Sequence, residues 1–265
     1  MPFVTSKDGT RIGYSVVGAG PSIILVDGAL CWRASGPSGP LAAELKDRFT
    51  VYTYDRRGRG ESGDTQPYAV EREVEDLTAL VDAAGGRVAL YAISSGVPLA
   101  LATADALGPD QITKMVLYEA PIYTDESRRL DPTYVQRMQD LIGGGNYSGA
   151  VKLFMRNVGV PAFGILVMQL MGITRKLAPV APTLAYDTVL CSPLWTSAPP
   201  PQGSWSNARM PVLDVGGGKS EAWMQNAQVA ISQVLPNARH KTLPGQNHMV
   251  AATAIAPMIK EFVLA

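Results

Sequence analysis

The feature that most constrains the fold is an apolar strand that runs into a corner of small residues and then into a helix. Residues Val88–Ile93 are all aliphatic or aromatic, the small residues 94–96 follow, and a helix-forming run occupies 98–102. A strand, a sharp turn and a helix in this order hold a serine side chain out at the end of a sheet, where it can act as a nucleophile. The usual pattern at such a corner is Gly-x-Ser-x-Gly, and this chain carries Ala92 at the first glycine position. The segment therefore predicts a strand–turn–helix unit with Ser94 at its corner.

Strand and helix patterns alternate over most of the chain. Apolar or alternating runs predict strands, and amphipathic runs predict the helices between them. The strand patterns lie at 10–16, 22–26, 49–54, 88–93, 112–118, 211–215 and 239–243, and the helix patterns at 41–47, 70–84, 98–107, 221–235 and 250–264. Strands buried on both faces and separated by helices form a mostly parallel, doubly wound sheet. The predicted fold class is therefore α/β, with a central sheet flanked by helices.

This rhythm changes between 122 and 209. The stretch is helix-like, rich in Gly, Pro and Met, and contains no convincing buried strand. We therefore expect a core domain formed by 1–121 and 210–265, with 122–209 inserted as a helical cap before the last two strands. Its most apolar tract, 158–171, is expected mainly to pack the cap onto the core, with some residues lining an apolar pocket. Glycine and proline interrupt this tract, which is too short to span a bilayer.

Composition argues against several classes of function. Hydrophobic residues make up 46% of the chain and charged residues 17%, which supplies ample material for a core. The 23 basic and 23 acidic residues balance, and no basic tract is interleaved with aromatic residues, so nucleic-acid binding is not expected. Arg56, Arg57 and Arg59 form the densest basic cluster. Their position in a glycine turn favours a structural or surface role over phosphate binding.

The cysteines and the N-terminus bear on the cellular setting. Cys31 and Cys191 lie far apart and lack metal-site spacing, so we expect free thiols and no metal. The first residues show no basic leader followed by an apolar stretch, which favours a cytoplasmic setting without a membrane partner. The expected partner is a small-molecule substrate, and the sequence is silent on oligomeric state.

A serine alcohol becomes a good nucleophile only when a base takes its proton, and histidine is the usual base. The chain has two histidines. His240 lies in a predicted strand between Arg239 and Lys241, where a solvated strand-end role is expected. His248 lies in a loop between the last strand and the last helix. Because parallel strands share their carboxyl edge, that loop emerges beside Ser94, and His248 is the predicted base.

Four segments in this order resemble the α/β-hydrolase superfamily over essentially the whole chain. They are the early turn 27–29, the Asp-x-Arg-Gly-x-Gly-x-Ser turn at 55–62, the Ser94 corner and the late loop 244–248. The resemblance implies that Ser94 attacks the substrate and that His248 acts as base and then as acid. It also implies an oxyanion hole formed by the backbone N–H groups of Ala29 and Ser95, and no cofactor.

The chain departs from the family pattern at two positions. Asp27 replaces the usual histidine, and an anion close to the oxyanion hole would oppose the charge that forms there. The alternative is that its side chain points away and bonds loop amides. Ser220 stands where the family's third catalytic residue, an acid, is expected.

Three carboxylates could replace that acid. Glu119, at the end of a strand, is the first candidate, because some family members take their acid from this position. Glu221 and Asp214 are the others, and a dyad or a water-bridged arrangement also stays open. Loss of the acid would weaken catalysis without abolishing it, because the acid orients the imidazole and stabilises its cation.

The sequence favours a cofactor-independent serine hydrolase that cleaves a small to medium, largely apolar carboxylic ester or lactone through an acyl-enzyme. A serine at the corner argues against epoxide hydrolase or dehalogenase chemistry, which needs an aspartate there. The departures leave open a non-hydrolytic biosynthetic enzyme, such as a cyclase, lyase or C–C bond enzyme, or a ligand-binding protein without turnover. The substrate is expected to contact Asp27, Leu30, Cys31, Trp32 and Met249. Cys31 is not expected to be a nucleophile, since no histidine is predicted beside it.

Overall fold

A computed structural model describes residues 2–129 and 131–265 and shows an eight-stranded sheet. The strands are β1 Phe3–Thr5, β2 Arg11–Val17, β3 Ser22–Val26, β4 Thr50–Tyr54, β5 Val88–Ile93, β6 Ile112–Tyr118, β7 Val212–Gly217 and β8 Ala238–Leu243. Their order across the sheet is β1-β2-β4-β3-β5-β6-β7-β8. The pairs β1–β2 and β2–β4 are antiparallel, and every later neighbour is parallel. The predicted mostly parallel sheet is confirmed, and β1, which is too short to show a pattern, was not predicted.

Helices cover both faces of the sheet. The core helices are α1 Ser38–Leu45, α2 Val70–Ala83, α3 Gly96–Leu107, α9 Ala222–Val234 and α10 Ala252–Leu264. Helices α2, α3 and α9 pack on one face, and α1 and α10 pack on the other. Along β5, Leu90 packs on the face covered by α2, α3 and α9, and Tyr91 packs on the face covered by α1 and α10. Burial of both faces explains why β5 is a continuous apolar run rather than an alternating one.

The segment between β6 and β7 is helical. Its helices are α4 Tyr134–Gly143, α5 Tyr147–Asn157, α6 Ala162–Leu170, α7 Ile173–Leu177 and α8 Leu184–Cys191, with short 3-10 turns at Ala178–Thr183 and Ser192–Leu194. Part of its apolar tract does not pack as expected. Ile165 is buried, whereas Phe163 is 76% exposed and Leu170 is 80% exposed. Only one side of α6 faces the protein, so this largely apolar helix leaves its other side in solvent.

Within the described residues, no single helix is both long and apolar enough to cross a membrane. The helical stretches Ala162–Leu170 and Ile173–Leu194 reach the required length and composition only together, and an 82° bend separates them.

Strand register gathers the functional loops at one edge of the sheet. Val26 at the end of β3 pairs with Ala92 in β5, and Ile93 pairs with Tyr118 at the end of β6. Gly217 at the end of β7 pairs with Leu243 at the end of β8. The loops that follow β3, β5, β6 and β8 therefore leave the sheet side by side, which is the edge where open α/β sheets bind ligands.

Candidate active site

Ser94 occupies a strained corner between β5 and α3. Its φ is +57°, a left-handed conformation that is costly for a residue with a side chain and that clusters at functional sites. The Ser94 N–H donates to the Tyr118 carbonyl over 2.9 Å, and the Ser94 carbonyl accepts from the Val97 N–H over 2.9 Å. Ala92 lies within β5 in extended backbone, so alanine can replace the usual glycine there. Glycine is required at 96, where a Cβ would lie 2.3 Å from the Val26 carbonyl oxygen.

His248 pairs with Glu119. The His248 Nδ1 lies 2.9 Å from Oε2 of Glu119, whose side chain is fully buried directly after β6. Glu119 also has a left-handed backbone, with φ +49°, which is a second strained position at this edge. Its Oε1 accepts from the Gly217 N–H over 2.7 Å and from the Ser220 hydroxyl. The serine at the expected acid position therefore holds Glu119, which lies one strand away.

The other two candidate carboxylates have different partners. Asp214 Oδ2 lies 3.3 Å from His240 Nδ1, and burial raises the pKa of Asp214 to about 7. His240 was expected to be solvated at a strand end, and its side chain is 25% exposed. Its register opposite Asp214 in the parallel pair β7–β8 also sets the ring against that buried carboxyl, a partner that was not predicted. Glu221 accepts from the Trp223 indole N–H over 2.6 Å and lies 3.4 Å from Arg128. Neither carboxylate contacts His248 in the described part of the chain.

The loop after β3 comes into contact with Ser94. A Cβ placed on Gly28 would lie 2.7 Å from the Ser94 Cβ, so only glycine fits this approach. Ala29 and Ser95 line a small cavity together with Ser94. Within residues 2–129 and 131–265, neither the Ala29 N–H nor the Ser95 N–H donates to another group. Both amides are therefore available as donors to an oxyanion.

Asp27 is turned toward α1. Its side chain is buried and accepts from the Ser38 hydroxyl over 2.7 Å at the first turn of that helix. Burial raises the pKa of Asp27 to about 6. Of the two hypotheses for this residue, the geometry matches the one in which the carboxylate points away from the oxyanion hole. Its partner is the Ser38 hydroxyl rather than the loop amides that were expected.

A cavity of about 710 Å³ opens beside the serine corner. Ser94 and His248 both line it, and so do Leu30, Cys31 and Met249. The rest of its lining is mostly apolar, with Pro37, Pro40, Leu41, Ile93, Phe154, Met155, Val158, Val160, Leu177, Met224 and Ile255 among its residues. A narrow second cavity of about 40 Å³ reaches Ser94 from the cap side.

Two residues expected at the substrate do not line this cavity. Asp27 is held by Ser38, and Trp32 packs against the core of the cap. A two-way backbone pairing between Trp32 and Ser35 forms a tight turn at this point of the loop. Both cysteines are free, and burial raises the pKa of Cys31 to about 12, so its thiol stays protonated and unreactive. Among the described residues, no group of three or more His, Cys, Asp or Glu could hold a metal ion.

This arrangement of strand ends, serine corner and histidine–carboxylate pair agrees with the comparison with known families. A model of the alpha/beta hydrolase family matches residues 16–256. The chain belongs to that family. Family membership assigns this α/β hydrolase to a hydrolase class without naming its substrate.

Solved structures extend the likeness to the full length of this α/β hydrolase. An alpha/beta hydrolase from Sphaerobacter thermophilus is 40% identical with a TM-score of 0.89, and the match covers 99% of this chain and 100% of that one. An enol-lactonase from Burkholderia xenovorans is 20% identical with a TM-score of 0.73, and both chains are fully covered. A thermophilic esterase from Thermogutta terrifontis is 18% identical with a TM-score of 0.66, and the match covers 99% and 97% of the two chains. The last two likenesses show a shared fold.

A buried ionic cluster joins the cap helix α8 to the core of this α/β hydrolase. It consists of Arg56, Arg59, Glu73 and Asp187. Arg56 donates to both oxygens of Glu73 over 2.7 Å and to Asp187 Oδ1 over 2.8 Å, while Arg59 donates to Asp187 Oδ2 over 2.8 Å. Burial alone would raise the pKa of Asp187, but the charges of Arg59 and Arg56 outweigh it and lower that pKa. Asp187 therefore carries a negative charge at neutral pH.

The arginine-rich turn thus has a structural role and lies in the interior rather than at the surface. Arg57, between the two cluster arginines, pairs separately with Asp76 and Asp8. Asp187 was not predicted from the sequence. The available signal was indirect: three arginines in a buried turn need buried anionic partners.

Proposed function

We propose that this protein is a cofactor-independent serine hydrolase that cleaves small to medium, largely apolar carboxylic esters or lactones through an acyl-enzyme on Ser94. One observation carries the proposal. His248, bound at Nδ1 by the buried Glu119, lines the same cavity as the strained Ser94. A nucleophile, a base and a group that orients the base are the parts that acyl transfer requires.

The first half of the reaction forms the acyl-enzyme. Because Glu119 accepts the Nδ1 proton, Nε2 of His248 is unprotonated and can take the proton of Ser94 as its oxygen attacks the carbonyl carbon. The Ala29 and Ser95 N–H groups receive the negative charge that forms on the carbonyl oxygen. His248 then gives its proton to the leaving alkoxide. For an ester the alcohol departs, and for a lactone it stays attached to the acyl chain.

The second half releases the acid. Water enters, loses a proton to His248 and attacks the acyl carbon, and collapse of the second tetrahedral intermediate returns the proton to Ser94. The Glu119 carboxylate stabilises the imidazolium of His248 in both halves. No step requires a metal or an organic cofactor.

The cavity supports the proposed substrate class. Its volume of about 710 Å³ and its aliphatic, proline and methionine lining suit an apolar substrate of moderate size. The similar structures include an enol-lactonase and an esterase, which makes lactones and carboxylic esters reasonable first substrates to test. A small-molecule substrate and a cytoplasmic setting stay predictions.

The test is turnover of short p-nitrophenyl esters and aliphatic lactones in ¹⁸O-labelled water. Wild-type protein should release acid that carries one ¹⁸O atom. The variants Ser94→Ala and His248→Ala should lose at least about a thousandfold in kcat. Ser232→Ala is the control, because that hydroxyl donates to the Val229 carbonyl of its own helix and has no other partner among the described residues. Folded protein that turns over none of these substrates, or converts them without incorporating ¹⁸O, would refute the proposal and favour non-hydrolytic chemistry.

A further inference from the structure

Arg59 contacts the peptide group that supplies one of the two oxyanion donors. Its Nη1 donates to the Gly28 carbonyl oxygen over 2.6 Å. That carbonyl and the Ala29 N–H belong to the same peptide bond. The guanidinium thus lies at one end of the amide whose N–H, in the proposed mechanism, binds the substrate oxygen. Arg59 itself is 1% exposed, so no bulk water screens the contact.

A cationic donor on a carbonyl strengthens the N–H of the same amide. Peptide resonance couples the two ends, so charge drawn toward the oxygen leaves the N–H more positive. Hydrogen bonds in chains reinforce one another in this way, and bonds to charged groups are the stronger kind. Burial increases the effect because the surroundings screen charge less than water does.

We propose that Arg59 is a positioning residue for the oxyanion hole, which polarises the Gly28–Ala29 peptide and aims its N–H at the developing oxyanion. The inference rests on the proposed serine hydrolase function. Arg59 does not touch the substrate and acts only through that peptide. Its Nη1 also lies 3.3 Å from the Cys31 carbonyl, which fixes a second point of the same loop.

Asp187 holds the guanidinium in place and connects it to the other oxyanion donor. Its Oδ2 accepts from Arg59, and its Oδ1 accepts from the Ser95 hydroxyl over 2.7 Å. The backbone N–H of Ser95 is the second donor of the hole. One carboxylate on the cap helix α8 therefore fixes both sides of the oxyanion hole, and correct docking of the cap becomes a condition for full activity.

Arg57 provides a matched control within the same turn. It is also 1% exposed and forms a bidentate pair with Asp76, with both distances 2.7 Å. Its other contacts are Asp8 and the Arg72 carbonyl. It touches neither the loop after β3 nor Ser95 in the described part of the chain. Replacing Arg57 therefore removes a buried ion pair of the same kind without altering the oxyanion peptide.

The experiment uses a trifluoromethyl ketone with a ¹³C-labelled carbonyl. Ser94 Oγ bonds to the ketone carbon, the serine proton passes to His248, and the carbonyl oxygen becomes an oxyanion in the hole. Titration of the ¹³C shift gives the pKa of this hemiketal oxygen. A stronger oxyanion hole lowers that pKa, and a merely structural role for Arg59 would leave it unchanged.

We expect Arg59→Met to raise the hemiketal pKa by about one unit and to lower kcat for esters about tenfold, with KM within about twofold. The hemiketal pKa and the kcat of Arg59→Lys should lie between those of Arg59→Met and wild type, because lysine keeps the positive charge but offers one compact donor group in place of the guanidinium fork. Arg57→Met and Arg57→Lys should match wild type in both measurements, despite a comparable loss of stability. Asp187 keeps Arg56 as a partner in the Arg59 variants.

Three results would overturn the inference. The first is a hemiketal pKa in Arg59→Met that equals the wild-type value. The second is a rise of the hemiketal pKa in Arg57→Met as large as that in Arg59→Met. The third applies if Arg59→Met does not fold, and is a wild-type hemiketal pKa in Arg59→Lys. Failure of wild-type protein to form any hemiketal on Ser94 would instead refute the proposed function itself, so the two failures are distinguishable.

Discussion

Replacing Glu119 with glutamine should invert the hydrogen bond to His248. Two donors, the Gly217 N–H and the Ser220 hydroxyl, converge on Oε1 of the carboxylate. In Glu119→Gln the amide oxygen must take that position, since an NH₂ group there would face two donors. The amide nitrogen then occupies the Oε2 position, 2.9 Å from His248 Nδ1, and donates to it. His248 must in turn carry its proton on Nε2, where it cannot accept a proton from Ser94.

The expected loss follows from this wrong tautomer. In serine proteases, the amide version of the triad acid lowers kcat by about ten-thousandfold while the geometry stays intact. That factor corresponds to about 5 kcal/mol of transition-state stabilisation. Because Gly217 and Ser220 hold the glutamine in place here, we expect kcat to fall by roughly a thousandfold to ten-thousandfold, with little change in KM.

The assay is steady-state hydrolysis of a p-nitrophenyl ester, with circular dichroism to confirm folding. Glu221→Gln is the control, because that carboxylate binds Trp223 and Arg128 and should leave kcat within about twofold of wild type. If Glu119→Gln keeps more than about a tenth of wild-type kcat, Glu119 is not the triad acid. A dyad would then be the better account.

Three further predictions follow from buried contacts. Burial raises the pKa of Asp27 to about 6, while the unfolded chain keeps a value near 4, so the free energy of unfolding falls as pH rises from about 4 to about 6. In urea unfolding, Asp27→Asn should therefore stabilise the protein by about 2 kcal/mol near pH 8 and have little effect near pH 4. Equal effects at both pH values would contradict this. Gly28→Ala should lower kcat at least about a hundredfold in the ester assay, because its Cβ would meet the Ser94 Cβ at 2.7 Å, and wild-type kcat would disprove the close approach. Asp187→Ala should lower the free energy of unfolding in urea by about 3 to 5 kcal/mol, because Arg56 loses one of its two carboxylate partners and Arg59 loses its carboxylate partner. A decrease below about 1 kcal/mol would rule out a tightly coupled ion pair.

Much of the sheet and the location of the site could be predicted from the sequence. Continuous apolar runs identify strands buried on both faces, and parallel strands share a carboxyl edge, so the loops that carry Ser94, Glu119 and His248 were expected to meet. The structure places Glu119 rather than Glu221 or Asp214 against His248. Sequence order alone could not select among the three acids, because the choice depends on which loop projects over the histidine.

Long-range pairing and local exposure could not be predicted. Asp187 lies 131 residues from Arg56 along the chain, and no pattern in a single sequence specifies such a pair. The apolar helix α6 was expected to pack on the core, yet Phe163 and Leu170 face solvent. Hydrophobicity predicts a tendency to be buried, and the tertiary structure decides which side of a short helix has a surface to pack against.

The central claim is that Ser94 is an activated nucleophile, and covalent labelling tests it most directly. A fluorophosphonate should label wild-type protein at one site, and mass spectrometry of the digested protein should locate the adduct on Ser94. Labelling should disappear in Ser94→Ala and slow strongly in His248→Ala. Folded wild-type protein that is not labelled, or an adduct on any other residue, would contradict the account.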